Sequence, residues 1–373
     1  MTAQPYDSWT SHLGDLTFEL NAPASWSAQQ RRYLADYLPG PLGDQNFGAF
    51  RLIVQPDDAR CEEVARDANR PPVARHLEPV PGVVLTETRT PTGARSYAVA
   101  ADALEHQTRA YAVRVHGRSI ELYLHSTARR PHAHPLRLMR EAMLRTYEDH
   151  GGVVFHSAGV DIDGHGVMIV GPRSAGKTTL LTCLIRATRG ALLSNDRLIL
   201  DHQRRLVAVP LPVPVARGTV EAVPELADAV PGLSRPQRPV DTLPTTFGTT
   251  EKVEFSAREY AAALGTSLAP GSWLRTIIVP RLTDTAEPAT IRTLPPAEAR
   301  RVLSASCFTP RDEFWRQPWL VPRATPDAAL QRHAEPVVSN VADTVPCVEV
   351  RFGIRDPLGQ LERVLPTLER VLP

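Results

Sequence analysis

Lysine is almost missing from this chain. Of its 42 basic residues only Lys177 and Lys252 are lysines; all the others are arginines. Charge of one sign is missing too: 42 basic residues stand against 41 acidic ones, for a net charge of +1. That balance excludes the bulk electrostatic attraction that draws basic proteins to nucleic acid or to an anionic membrane surface, so neither is expected as a partner. No apolar run approaches the length of a membrane span, and the first residues carry no basic-then-apolar leader pattern, so a cytoplasmic location is expected. Cysteine is sparse. Cys61, Cys183, Cys307 and Cys347 lie far apart, with no CxxC pair and no metal-ligand spacing, which fits reduced and mostly buried thiols.

What is present is ordinary globular material: 42% hydrophobic and 22% charged residues over 373 positions, enough for two domains of moderate size. The 35 prolines and the Ala/Arg-rich texture look like coding in a GC-rich bacterial genome. Such coding erodes lysine wherever arginine can serve. A compact ammonium fits a tight phosphate cradle that a wide planar guanidinium does not, so the two surviving lysines are functional candidates.

The first part of the chain reads as α+β. Leu16–Leu20 and Phe50–Val54 are strand-like, and Tyr111, Val113, Val115 and Ile120, Leu122, Leu124 alternate on either side of His116-Gly117-Arg118, a hairpin signal. The Pro- and His-rich run Arg129–Pro135 marks a boundary, so the expected division is an α+β domain over 1–135 and a second domain over 136–373. His132-Ala133-His134 has the look of a metal pair but lacks a nearby third ligand, and a linker is expected there. Leu136, Met139, Met143 and Tyr147 then recur at helical spacing up to Gly151-Gly152. Downstream, residues 210–244 are Pro-rich with little periodicity and predict a long surface excursion. Trp273–Val279 predicts a strand, and Ala297–Leu303, Pro326–Ala334 and the segment from Leu358 predict helices. The last of these carries Leu361, Leu365, Leu368 and Leu372 and is kinked or shortened at Pro366. Trp315 and Trp319 are expected in a core or an interface.

One segment carries chemistry. Gly171-Pro172-Arg173-Ser174-Ala175-Gly176-Lys177-Thr178 matches GxxxxGK[ST]. A chance match occurs in about one chain of this length in a hundred. Its setting narrows the reading further, because an apolar strand, Val167–Val170, precedes it. A helix over Lys177–Thr188 follows, with Leu180, Leu181, Leu184 and Ile185 on one face, closed by Gly190. In such a loop the glycines let backbone N–H groups turn inward around phosphate, and the helix adds its positive N-terminus. Gly171, Arg173, Ser174, Ala175, Gly176, Lys177, Thr178 and Thr179 are the expected nucleotide-binding residues. Lys177 would reach the β- and γ-phosphates, and the Thr178 hydroxyl would ligate Mg²⁺. The acid that completes a magnesium site is expected at the end of a strand. Asp196, after Ala191-Leu192-Leu193, is that acid; the competing strand Thr276–Val279 ends in Pro280-Arg281.

These residues together resemble the HPr kinase/phosphorylase superfamily, whose nucleotide-binding core is related to that of phosphoenolpyruvate carboxykinase. The likeness is strong over Val153–Leu200 and fainter to about Leu303. It rests on His156 in Phe155-His156-Ser157-Ala158-Gly159, about fifteen residues before the loop. It rests also on Arg189-Gly190-Ala191-Leu192-Leu193-Ser194-Asn195-Asp196-Arg197, and on the Pro-x-Pro run in Val209–Pro214. The resemblance implies an α/β P-loop kinase core preceded by a smaller α+β domain, ATP or GTP with Mg²⁺ as cofactors, catalytic roles for His156, Lys177, Asn195 and Asp196, and homo-oligomer formation. Asn195 stands where the family has its general base. That role then falls to His156, Asp163 or Glu254, or proton removal matters little in a loose transition state. The Gly-rich signature that recognises HPr is missing, which argues against HPr as substrate.

Three readings follow. The first is a kinase for a hydroxyl on a sugar, nucleoside or amino-acid-type small molecule in a specialised bacterial pathway such as natural product biosynthesis. Arg217 and Lys252 would line the acceptor site. The second is a serine kinase acting on a peptide or small protein, and the third a nucleotide-binding regulatory module with no transfer activity.

Overall fold

The computed structural model describes residues 5–43, 45–70, 75–99, 111–246, 248–283, 285, 288–313, 315–353, 355–368 and 370. It is mixed α/β, in two compact units. One comprises Met1–Ala35, Gly40–Asp149 and Arg311–Ala324; the other comprises Asp36–Pro39, His150–Pro310 and Thr325–Pro373. The chain changes unit at Asp149–His150, one helix later than the division expected at Pro135. The Pro- and His-rich run that suggested a linker is instead the lead-in to that helix, and its histidines are packed. His132 stacks on Trp26, with ring centroids 4.5 Å apart, and buried His134 lies 4.6 Å from the Tyr111 ring. Burial pushes the His134 imidazole down to about 4, so it sits neutral in the core.

In the first unit the described elements are β1 (Tyr6–Leu13), β2 (Leu16–Pro23), α1 (Ala24–Ala35), β3 (Ala49–Pro56), α2 (Asp58–Ala68), β4 (Arg75–Val80), β5 (Val83–Arg89), β6 (Arg95–Val99), β7 (Tyr111–His116), β8 (Ser119–Leu124) and α3 (Ala133–Asp149). The strands form one sheet in the order β1-β2-β3-β8-β7-β6-β5-β4, with β3 parallel to both neighbours. Period-2 patterning sets its faces: Leu16, Phe18, Leu20 and Ala22 of β2 are all buried. The expected β7–β8 hairpin is present, with His116 opposite Ser119 and a two-residue turn whose first position, Gly117, has φ 58°. Helix α2, capped by Asp57, lays Cys61, Val64 and Ala68 on Ala98, Ala112 and Tyr123 of the sheet.

Trp315 and Trp319, 170 residues downstream of α3, are core residues of this same unit. Buried Arg145 of α3 holds them in register. It donates to Glu141 (3.1 Å), Glu148 (3.0 Å) and the Trp315 carbonyl (3.1 Å), while Arg323 donates to Glu148 at 3.2 Å. Charges so deeply buried are tolerable only because each finds partners.

The second unit contains β9 (Val153–Ile162), β10 (His165–Val170), α4 (Lys177–Thr188), β11 (Ala191–Ser194), β12 (Arg197–Leu200), β13 (Arg205–Ala208), β14 (Val213–Val215), α5 (Arg217–Ala222), α6 (Pro224–Ala229), β15 (Val253–Phe255), α7 (Ala257–Ala263), β16 (Gly271–Thr283), β17 (Thr290–Thr293), α8 (Pro296–Ser306), α9 (Asp327–Thr344), β18 (Cys347–Gly353) and α10 (Pro357–Leu368). Its main sheet runs β10-β9-β12-β13-β16-β18-β17, and β10 also pairs with β16, so five strands close on themselves. Leu274, Ile277, Phe155 and Met168 meet Leu303 of α8 and Val338 and Val341 of α9 in the core.

Several expectations shift here. Helix α4 ends on Arg189 in the left-handed conformation (φ 59°), one residue before Gly190. The Pro-rich stretch is partly regular: it contains β14, α5, α6 and two short 3₁₀ turns at Val230–Gly232 and Val240–Thr242. Helix α9 runs ten residues beyond Ala334, through Pro336, and α10 continues two residues past Pro366; Leu372 lies outside the described residues. Among the described residues no helix is long and apolar enough to cross a membrane.

Substituting Arg145→Met should cost about 3–5 kcal/mol of stability, because Glu141 loses its cation while remaining buried. Urea unfolding followed by tryptophan fluorescence checks this; a loss under about 1 kcal/mol would show that the carboxylates do not depend on Arg145.

Candidate functional site at the glycine loop

Strand β10 ends at Val170, opposite Ser157 of β9, and the chain leaves the sheet as residues 171–176 before entering α4. Ser174 (φ 66°) and Gly176 (φ 98°) have positive φ on either side of Ala175, whose N–H donates to the Pro172 carbonyl at 3.2 Å and tightens the loop. Glycine is required at 176 on two counts. Its φ is left-handed, and a Cβ there would lie 2.9 Å from the Leu282 Cβ. The loop is seated on β16 by the Leu282 N–H, which donates to the Ala175 carbonyl at 3.1 Å. Gly176 is also the N-cap of α4, so no side chain caps that helix's free N–H groups. Lys177 is buried, and its Nζ donates to the Gly171 carbonyl (2.8 Å) and the Pro172 carbonyl (3.1 Å).

The second half of the site is a strand interruption. β11 and β12 run along the same neighbour, β9, with a register shift between Leu192 and Ser194 and a bend at Asn195-Asp196. Asn and Asp are poor strand formers, and a bulge at this point re-aims both side chains out of the sheet. The Ser157 N–H donates to the Asp196 carbonyl at 3.1 Å and pins the bend next to the end of β10. His156, facing Arg197 across the β9–β12 pair, puts its Nε2 3.2 Å from the Asp196 carboxylate, and Arg197 pairs with the other carboxylate oxygen. Phe308 lies beneath both. The His156 ring stacks on it at 5.1 Å and 16°, and the Arg197 guanidinium sits 5.2 Å from its centroid. The Phe308 N–H donates to the Val154 carbonyl at 2.8 Å, which carries this distant residue to β9.

Burial pushes the Asp196 carboxyl up. The His156 hydrogen bond and the charges of Arg197, His156 and Lys177 outweigh that and hold it at about 2. Lys252, on the residue before β15, is brought to the same place: burial and the charge of Arg173 lower its pKa, and Asp196 opposes them. Both lysines of the chain therefore lie within electrostatic reach of one aspartate. Asn195 is 5% exposed, and its Oδ1 has no hydrogen-bond partner among the described residues. Together with Tyr37, Leu193 and Leu211 it lines a cavity of about 10 Å³, room for roughly one water. The Thr178 hydroxyl makes no hydrogen bond among the described residues, and its side chain is partly exposed beside Lys177. Arg173 and Ser174 are exposed on the loop.

Other expected site residues are engaged elsewhere. The Thr179 hydroxyl is 2.9 Å from that of Thr219 and ties α4 to α5. Arg217 donates from Nε to Glu221 (2.7 Å) and from Nη1 to the carbonyls of Asp241 (2.6 Å) and Leu243 (3.1 Å), so it braces the Pro-rich stretch. Asp163 is exposed in the β9–β10 turn, the length of β10 away from the loop, or roughly 20 Å at the strand rise. Glu254 is paired with Arg235, and its backbone bonds Gln237. Neither is placed to serve as a base. Arg197 and Phe308 are the residues that sequence reasoning missed. Arg197 adjoins Asp196 in sequence and could have been suspected from that; Phe308 carries no local signal.

A comparison of the chain with protein-family models and with curated proteins found no match.

The carboxyl of Asp196 should titrate near 2, a contribution to stability present above the ordinary aspartate value of about 3.9 and lost as pH falls toward 2. Carbon-13 NMR, with the resonance assigned by its loss in Asp196→Asn, measures this. In His156→Ala the midpoint should move upward, since the largest lowering contact is gone.

Proposed function

We propose that this chain is a nucleoside-triphosphate-dependent kinase that transfers the γ-phosphoryl group of ATP or GTP to a hydroxyl of a small molecule. The observation that carries the reading is Asp196, held by His156 and Arg197 and within electrostatic reach of Lys177 and Lys252, beside a glycine loop that opens helix α4 without a side-chain cap. Lys177, Lys252 and Arg173 outnumber the one carboxylate, whose second oxygen Arg197 already pairs, so the site is net positive and suits a polyphosphate. Resemblance of the His156, glycine-loop and Asn195-Asp196 pattern to HPr-kinase-like proteins supports the same reaction class.

The donor set fits magnesium, a hard cation that keeps several waters and takes one or two carboxylates plus phosphate oxygens. Thr178 and Asp196 would hold it, Asp196 through water given its existing bonds to His156 and Arg197. Bound there, Mg²⁺ would neutralise charge on the β- and γ-phosphates. The loop N–H groups and Lys177 would fix the β-phosphate. The acceptor oxygen forms a bond to the γ-phosphorus as the bond to the bridging oxygen breaks, and that electron pair leaves with the nucleoside diphosphate. The hydroxyl proton passes to Nδ1 of the neutral His156 ring, which Asp196 orients through Nε2. Asn195 shapes the bend that aims Asp196.

Mg-ATP binding by calorimetry and ATP consumption with a panel of hydroxyl metabolites test the reading. Lys177→Ala should weaken Mg-ATP about 10–100-fold, the worth of hydrogen bonds to a charged group. Asp196→Asn should lose turnover but keep metal-free nucleotide binding. Turnover that survives both substitutions would sink the site, and phosphorylation of a peptide but of no metabolite would move the acceptor to a serine side chain. Asn195→Asp should not raise the rate if Asn195 only shapes the bend.

A further inference from the structure

Lys252 is a half-buried cation that has no ion pair or hydrogen bond among the described residues. That is unusual in this chain, where charged neighbours on the same stretch are matched one by one. Glu251 pairs with Arg238, and Glu254 pairs with Arg235 and bonds Gln237 through its backbone. The acids flanking Lys252 are thus taken up by the Pro-rich stretch, which leaves Asp196, too far for an ion pair, to oppose the burial of its charge. Removing a charge from water without a partner is costly, and an anion supplied from outside offsets that cost.

The backbone around Lys252 is fixed against the glycine loop at two points. A Cβ added to Gly248 would lie 3.2 Å from the Ser174 Oγ, so this residue sits directly on the loop. On the other side, Val253 pairs with Val215 of β14, two residues before α5, whose Thr219 hydroxyl meets that of Thr179 on α4. Lys252 follows Gly248 by four positions, a reach of at most about 14 Å. The charges it feels are those of Arg173, exposed on the loop, and Asp196, which points to the outer side of the loop, while Lys177 takes the inner one through the Gly171 and Pro172 carbonyls.

We propose that Lys252 meets the γ-phosphoryl group, held at the loop's mouth by Gly248 on Ser174 and by the β14–β15 pair, an assignment that rests on the nucleotide reading above. The division of labour follows from depth. Lys177 and the loop N–H groups serve the phosphates that remain on the nucleoside diphosphate. Lys252 serves the group that leaves, and its ammonium balances the negative charge that the equatorial oxygens carry between the two bonds. Burial and Arg173 make the free ammonium less comfortable, and an oxyanion between the two cations relieves both. Arginine has replaced lysine almost everywhere else in the chain, so its survival here fits a narrow place.

The test compares ADP with the non-hydrolysable β,γ-imido analogue of ATP, each with Mg²⁺, by titration calorimetry. Lys252→Ala should weaken the analogue by about 10–100-fold and leave ADP within about 2-fold. Lys252→Arg, which keeps the charge and guards against a folding defect, should recover part of the loss. Equal weakening of both ligands, or of neither, overturns the assignment while leaving the nucleotide reading intact. A wild-type protein that binds neither ligand takes down both. If Lys252 served an anion on the acceptor and not on the nucleotide, the analogue and ADP would respond alike, which also overturns it.

Discussion

The Asp196 carboxylate is the interaction on which the site's arrangement depends. It sits where a strand along β9 breaks, and one oxygen meets His156 while the other meets Arg197. Without it His156 and Arg197 would lose the carboxylate that joins them above Phe308, and Lys252 would lose the charge that opposes Arg173. A carboxylate this strongly solvated by cations stays ionised at any ordinary pH. The same contacts fix its direction, and a site needs that as much as charge.

The scaffold explains how such a cluster is kept in place. Strands β9 and β10 are neighbours, so the end of β10 and the break between β11 and β12 fall at the same edge of the sheet. β16 runs parallel beside β10 and supplies Leu282, whose N–H fixes the loop from below. The loop is therefore rigid where it meets the sheet and exposed where Arg173 and Ser174 reach outward. The Pro-rich stretch, stiffened by Arg217, Arg235 and Arg238, does the same service for Lys252 from the opposite side.

Local features were the legible ones. The hairpin at Gly117, the α4 face of Leu180, Leu181, Leu184 and Ile185, and the glycine loop each follow from spacing within a dozen residues. The boundary near Pro135 was misleading because a run of prolines and histidines can lead into a helix as well as join domains, and His134 fills a core position. Arg217 was expected at the acceptor site because Arg217-Gly218-Thr219 follows the Pro-x-Pro run; its Nη1 goes to carbonyls 24 and 26 residues away, which no local pattern encodes.

The residues alone determined that a strand, a glycine loop and a helix follow one another, that Lys177 lies at the helix start, and that Asn195-Asp196 interrupts a strand. Each depends on backbone propensities acting over a few positions. Only the tertiary structure decided that Phe308 underlies His156, that Thr179 is tied to Thr219, and that Lys252 shares an aspartate with Lys177. Those contacts join segments dozens of residues apart, and sheet pairing sets them. For the lysines the two kinds of information meet: scarcity singled out the pair, and the fold put both within electrostatic reach of Asp196.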